Sequence, residues 1–209
     1  PQGDWKKWVP AAGNYSWAPI NVRGVSYDDR GRLWFACPQG AGVRTEGNWQ
    51  LFTGLEGLPY DDFTCLATGG GTTWFGTTIG AIRYHDGAWS YRQGMRWVPD
   101  DVINGVAVGG KGDAWFATPN GVRHLYQIET TLAAKAKFFE DEIDKYHRRT
   151  PYEYVLGVRL EKPGDKSKFT QHDSDNDGLW TSMYGAAECF AYAASKDPQA
   201  KERCWRSSS

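Results

Sequence analysis

The residues best equipped for chemistry sit in one short stretch, HDSDNDGLW, from His172 to Trp180. Asp173, Asp175 and Asp177 alternate and are followed by Gly178, the spacing of hard oxygen ligands and the bend that open a helix–loop–helix calcium loop. The second half of such a loop is missing, because Tyr184 stands at the twelfth position, where a bidentate Glu belongs. Three neighbouring carboxylates repel one another, so a structural calcium ion is one way to hold them and a solvated, helix-capping loop is the other. No other cofactor is expected. Glycoside cleavage needs two carboxyl groups, one of them kept protonated, and Asp175, Asp177 and Glu188 are the candidates for it. Trp180 and Tyr184 offer rings that could stack on a sugar, and His172 is a candidate acid, base or ligand. Plain solvent exposure is the simpler account of both His172 and Glu188. His85, His124 and His147 share no ligand spacing, and the sequence has neither a phosphate-binding Gly loop nor a nucleophile elbow.

Several elements must position these residues. Over IETTLAAKAKFFEDEIDKYHRR, from Ile128 to Arg149, the apolar residues Ile128, Leu132, Phe139, Ile143 and Tyr146 recur at helical steps, which predicts one amphipathic helix ending near Pro151. YEYVLGVRL then reads as a strand and EKPGDKSKF as a polar, turn-rich connector. A second helix is predicted from about Leu179 to Ser195, with Met183, Ala187, Phe190 and Ala194 on one face. Asp197-Pro198 is placed to cap and start a third.

The rest of the chain is written in a different pattern. GRLWFACPQG, GTTWFGTTIG and GDAWFATPNG are near-copies, with Trp34, Trp74 and Trp115 in register and Gly40, Gly80 and Gly121 closing each phrase. Trp49 matches Trp89, and Pro59 matches Pro99. Each unit reads as four short strands rich in Trp, Phe, Thr, Val and Ile, separated by Gly turns such as the hairpin dipeptide Asp86-Gly87. Four strands per period of about forty residues describe a propeller blade. The three tryptophans are expected to fill one repeated slot between blades, the alternative being a sugar-stacking platform. Before the first full unit, GDWKKWVP looks like the outer strand of a preceding blade, and the third unit lacks its own outer strand. Two full four-stranded blades and parts of two others cannot close a ring, so the chain is expected to be a fragment whose remaining blades belong to a longer parent.

Composition narrows the partners. Among 209 residues, 24 basic and 25 acidic side chains nearly cancel, which leaves no field favouring nucleic acid or an anionic membrane. Twenty-five glycines and eleven tryptophans argue against both a disordered chain and a helical bundle. No apolar run approaches the roughly 20 residues of a membrane-spanning helix. Cys37, Cys65, Cys189 and Cys204 are too few and too irregular for a disulfide framework and leave the redox compartment undecided.

DRGRLWFACPQG and GKGDAWFATPNG, with GLPYDDF between blades, resemble the two-component-regulator propeller repeat over roughly residues 21–126. That repeat implies the blade fold and says little about function, since it serves sensors, enzymes and binding proteins alike. Cys37 departs from it, standing where the other units have Thr77 and Thr118, and is expected to be a small buried filler. HDSDNDGLWTSMYGAAECFAYAASKDPQAK resembles the opening hairpin of secreted α/α toroids of the six-hairpin glycosidase or polysaccharide lyase type, whose barrel-end loops gather carboxylates and rings around a sugar.

The expected organisation is therefore an incomplete β-propeller over 1–127, a helix-plus-strand connector over 128–170, and a helical hairpin over 171–209. The expected function is part of an extracellular or periplasmic carbohydrate-active protein, with the propeller recognising or packing and the helical part opening a toroid. The alternatives are the ligand-sensing propeller of a two-component sensor and a protein-binding scaffold.

Overall fold

The computed structural model describes Asp4, residues 6–149 and residues 151–207. The chain divides into two compact units, Pro1–Ile128 and Glu129–Ser209.

The first unit is a partial β-propeller. After a short hairpin of β1 (Ala11–Ala12) and β2 (Tyr15–Ser16) come β3 (Gly24–Tyr27), β4 (Leu33–Cys37), β5 (Gly40–Thr45) and β6 (Asn48–Phe52), paired antiparallel in that order. The second blade repeats this with β7 (Phe63–Gly69), β8 (Thr72–Thr77), β9 (Gly80–His85) and β10 (Ala88–Arg92). The third has three strands, β11 (Gly105–Val108), β12 (Ala114–Thr118) and β13 (Gly121–Leu125), and as expected no outer one among the described residues. Gly3 and Trp5 of the predicted preceding strand lie outside the described residues. The rest of that stretch carries no strand, and Ala12 of β1 packs instead on the cluster of Trp17, Phe35, Cys37 and Leu51.

The glycines that close each phrase have a geometric cause. Gly40, Gly80 and Gly121 take φ of 139°, 134° and 132°, a region in which a side chain is strained. At Gly80 an added Cβ would also lie 2.5 Å from the Arg92 carbonyl oxygen. The preceding hydroxyl completes the turn, since Thr77 Oγ1 donates to the Gly80 carbonyl at 2.7 Å and Thr118 Oγ1 to that of Gly121 at 2.8 Å. Cys37 takes that place in the first blade, where it is free and fully buried, and burial pushes its thiol pKa up.

Trp34 and Trp74 fill the seams between blades. Trp34 packs on Phe52, Phe75 and Tyr84, and its Nε1 donates to Asp28 at 2.9 Å. Trp74 packs edge-on against Phe116 and donates to the Gly112 carbonyl at 3.1 Å. Trp115 keeps the register but has no such cover and is 50% exposed, stacked on His124. The inner strands are tied along the first seam by Ser26 Oγ and Thr68 Oγ1, 2.8 Å apart, and by Thr68 Oγ1 donating to the Tyr27 carbonyl at 2.7 Å.

The second unit comprises α1 (Leu132–Glu142), running into a π-helical turn over Ile143–His147, then β14 (Arg148–Arg149), β15 (Tyr154–Val155), β16 (Gly157–Lys162), β17 (Asp165–His172), α2 (Asp177–Ser195) and α3 (Pro198–Arg206). α1 starts four residues later than predicted, because Thr131 caps it by accepting from the Ala134 amide at 3.1 Å. Asp197 caps α3 as expected, accepting from the Gln199 amide at 2.9 Å with Pro198 in the first turn. Two readings need correction. The polar connector contains a strand, β17, which pairs with β16. The packed face of α2 is Thr181, Tyr184, Gly185 and Glu188, while Met183 and Phe190 are 58% and 76% exposed. Gly185 suits that face because a Cβ there would meet Ser207 Cβ at 2.6 Å. A disulfide between Cys189 and Cys204, which the spacing alone left undecided, joins α2 to α3. Among the described residues no helix is long and apolar enough to cross a membrane.

Candidate functional site

Two of the predicted site residues, Tyr184 and Glu188, lie one turn apart on the buried face of α2 and meet partners from other elements. Tyr184 Oη donates to Glu140 Oε1 on α1 and accepts from Arg148 Nη2 at 2.7 Å. The Arg148 guanidinium also lies 5.0 Å from the centre of the Tyr184 ring. Arg203, on α3, approaches Glu140 Oε1 through Nε at 3.1 Å and Asp144 Oδ2 through Nη2 at 2.8 Å. Asp144 in turn pairs with Arg148 Nη1 at 3.2 Å. Two carboxylates, two guanidiniums, a phenol and Glu188 thus form one network.

Its electrostatics follow from burial. Glu188 is 8% exposed. Burial first, then the hydrogen bond and the negative charge of Glu140, push its pKa up to about 7, against the pull of Arg203 and Arg148. Tyr184 is raised for the same leading reason and by its hydrogen bond to Glu140. The network lines a groove of about 500 Å³ among the three helices, to which Leu132, Ala136, Ala191 and Ala200 contribute apolar surface and Glu140, Glu188 and Arg203 polar groups. A titratable acid poised near neutrality beside a partly apolar groove is the pattern of a ligand-handling site.

The other predicted residues lie elsewhere. Asp173, Asp175 and His172 are exposed, ahead of α2. Asp177 sits in the first turn of α2 and accepts from the Ser174 amide at 2.9 Å and the Ser174 hydroxyl at 3.0 Å, which is helix-start chemistry. Among the described residues no three His, Cys, Asp or Glu side chains converge as a metal ion would need. Trp180 is 47% exposed, whereas Tyr184 is too buried to offer a ring face. Sequence reasoning missed Glu140, Asp144, Arg148 and Arg203. Each looks like an ordinary charged helix-surface residue until α1 and α3 are folded against α2.

No family model and no curated protein sequence matches the chain. Among solved structures it is similar to virginiamycin B lyase from Staphylococcus aureus, at 21% identity and a TM-score of 0.39, over 53% of this chain and 42% of that one. It is also similar to an extracellular domain assigned to the hybrid two-component system BT3049 from B. thetaiotaomicron, at 14% identity and a TM-score of 0.34, over 74% of this chain and 26% of that one. A further similarity is to an extracellular domain assigned to the one-component system BT4673 of the same organism, at 14% identity and a TM-score of 0.31, over 53% of this chain and 22% of that one. Likeness at this level carries no inference about activity, and the chain spans less than half the length of each.

Proposed function

We propose that the chain is the recognition part of an extracellular or periplasmic ligand-sensing protein, in which the propeller is a rigid frame and the helical groove takes up a saccharide. The observation that favours recognition over cleavage is that Glu140, the carboxylate that lines the groove with Glu188, is already held by Tyr184 Oη and by Arg203 Nε at 3.1 Å. A glycosidase needs two carboxyls about 5–9.5 Å apart, one on either side of the bond and free to act on it; Glu140 is instead tied up in the network. The Ala-rich walls suit the apolar face of a sugar ring, and Lys137, Asp141 and Gln199 on the rim can bond its hydroxyls. The Cys189–Cys204 disulfide supports a compartment outside the reducing cytosol.

Calorimetric titration of the chain with neutral oligosaccharides tests this reading. Saturable binding is expected, at least tenfold weaker in Ala191→Phe, which fills the groove, with no release of reducing ends. Undiminished binding by Ala191→Phe would remove the groove from the proposal.

One observation favours a catalytic reading: with its pKa pushed up to about 7, Glu188 keeps a substantial protonated fraction near neutral pH, as a general acid must. Its partner would have to be a carboxylate other than Asp177, which starts the same helix eleven residues earlier, about 16 Å of helical rise. Glycan turnover that disappears in Glu188→Gln would establish this second reading.

A further inference from the structure

The seam between the second and third blades holds a cation that the repeat does not require. Each slot tryptophan has a cross-strand neighbour: Val43 opposite Trp34, Arg83 opposite Trp74, and His124 opposite Trp115. Val43 is buried in the core, and His124 Nε2 is 2.7 Å from Asp113 Oδ2. Arg83 has neither solution. Its Nε and Nη2 are shielded from solvent and have no hydrogen-bond partner.

Arg83 lines a cleft of about 80 Å³ together with Trp74, Arg92, Trp97, Gly112 and Tyr126. The Arg92 guanidinium lies over the Trp97 ring at 4.6 Å, and that of Arg96 lies 5.4 Å from the same ring. Arg92 Nη1 donates to the Tyr91 carbonyl at 2.9 Å. No described carboxylate forms an ion pair with any of the three arginines. The acidic group that Arg83 feels is Asp86, at longer range, and burial followed by the charge of Arg92 lowers its pKa. Withdrawing an unpaired guanidinium from water beside a second one is unfavourable unless an anion completes the site.

We propose that this interblade cleft binds an oxyanion group, a carboxylate or sulfate, received by the Nε–Nη2 edge of Arg83, which turns from its shielded position toward the cleft as the anion enters, and neutralised jointly by Arg92. Two donors on one edge of a planar guanidinium match two oxygens of such a group. A water occupies about 30 Å³ of liquid, so the cleft has room for one such group, with the rest of a larger ligand lying over exposed Tyr126. The site is in the propeller and does not depend on the helical groove.

Calorimetric titration of the chain with sodium sulfate and with galacturonate, at constant ionic strength set by chloride, tests the proposal. Saturable binding of at least one is expected, weakened tenfold or more in Arg83→Met and in Arg92→Met. Arg83→Met should melt no lower than the parent in sulfate-free buffer, because it removes an unpaired charge and keeps the bulk. Tighter binding of galacturonate would identify an acidic sugar as the source of the group, and tighter binding of sulfate a free or ester-linked sulfate. Binding of neither ligand, or equal binding by both variants, would overturn the proposal. If Arg83→Met does not fold, Arg92→Met and Arg83→Lys, whose ammonium cannot fork, carry the same comparison.

Discussion

Glu188 regains the ordinary carboxylate range only when the helical unit unfolds. Its pKa is about 7 in the fold against 4.5 for a free side chain, so between those values the folded state binds more protons than the unfolded one. Stability from this group is therefore complete below about pH 4.5, declines as pH rises toward 7, and is flat above. The span is on the order of 1–3 kcal/mol. A thermal midpoint for this unit that falls from pH 5 to pH 8, and that Glu188→Gln flattens, is the expected result. The tryptophans supply a second comparison. Trp34→Ala should cost about 3–5 kcal/mol and Trp115→Ala about 1 kcal/mol or less, because Trp115 already has half its surface in water; denaturant midpoints of the two variants check this. Residue type alone singled out Glu188 and Tyr184. It passed over Glu140 and Arg203, whose roles exist only once distant helices converge.

At the level of elements, the blades were legible and the hairpin after them was not, for one physical reason. Blade strands carry the alternation and Gly turns that burial imposes, and Asp86 and Gly87 take φ of 47° and 78°, as their hairpin dipeptide implies. β17 is exposed along nearly its whole length, so nothing in its side chains marks it as a strand. α2 misleads in the opposite sense: its most apolar stripe faces solvent, and its packed face is held by polar contacts such as Thr181 Oγ1, which accepts from the Val155 amide at 3.0 Å. The α2–α3 disulfide spans a sequence separation of 15, and a loop of that size is worth about 3 kcal/mol. Reduction, or a paired Cys189→Ser and Cys204→Ser substitution, should lower the melting midpoint of the helical unit accordingly.

For the molecule as a whole, two compact units predict two calorimetric transitions. Reductant is expected to move one of them and Trp34→Ala the other; a single transition shifted by both treatments would mean that the units melt together. The free thiols give a finer view of the first unit. Cys37 lies in β4 of one blade and Cys65 in β7 of the next, and burial raises the pKa of both. Neither should react with an alkylating reagent until its strand comes away from its neighbours. The swap of a hydroxyl for a thiol at the first turn therefore equips the chain with a chemical clock, whose labelling rate times the opening of one blade while the rest of the array stays shut.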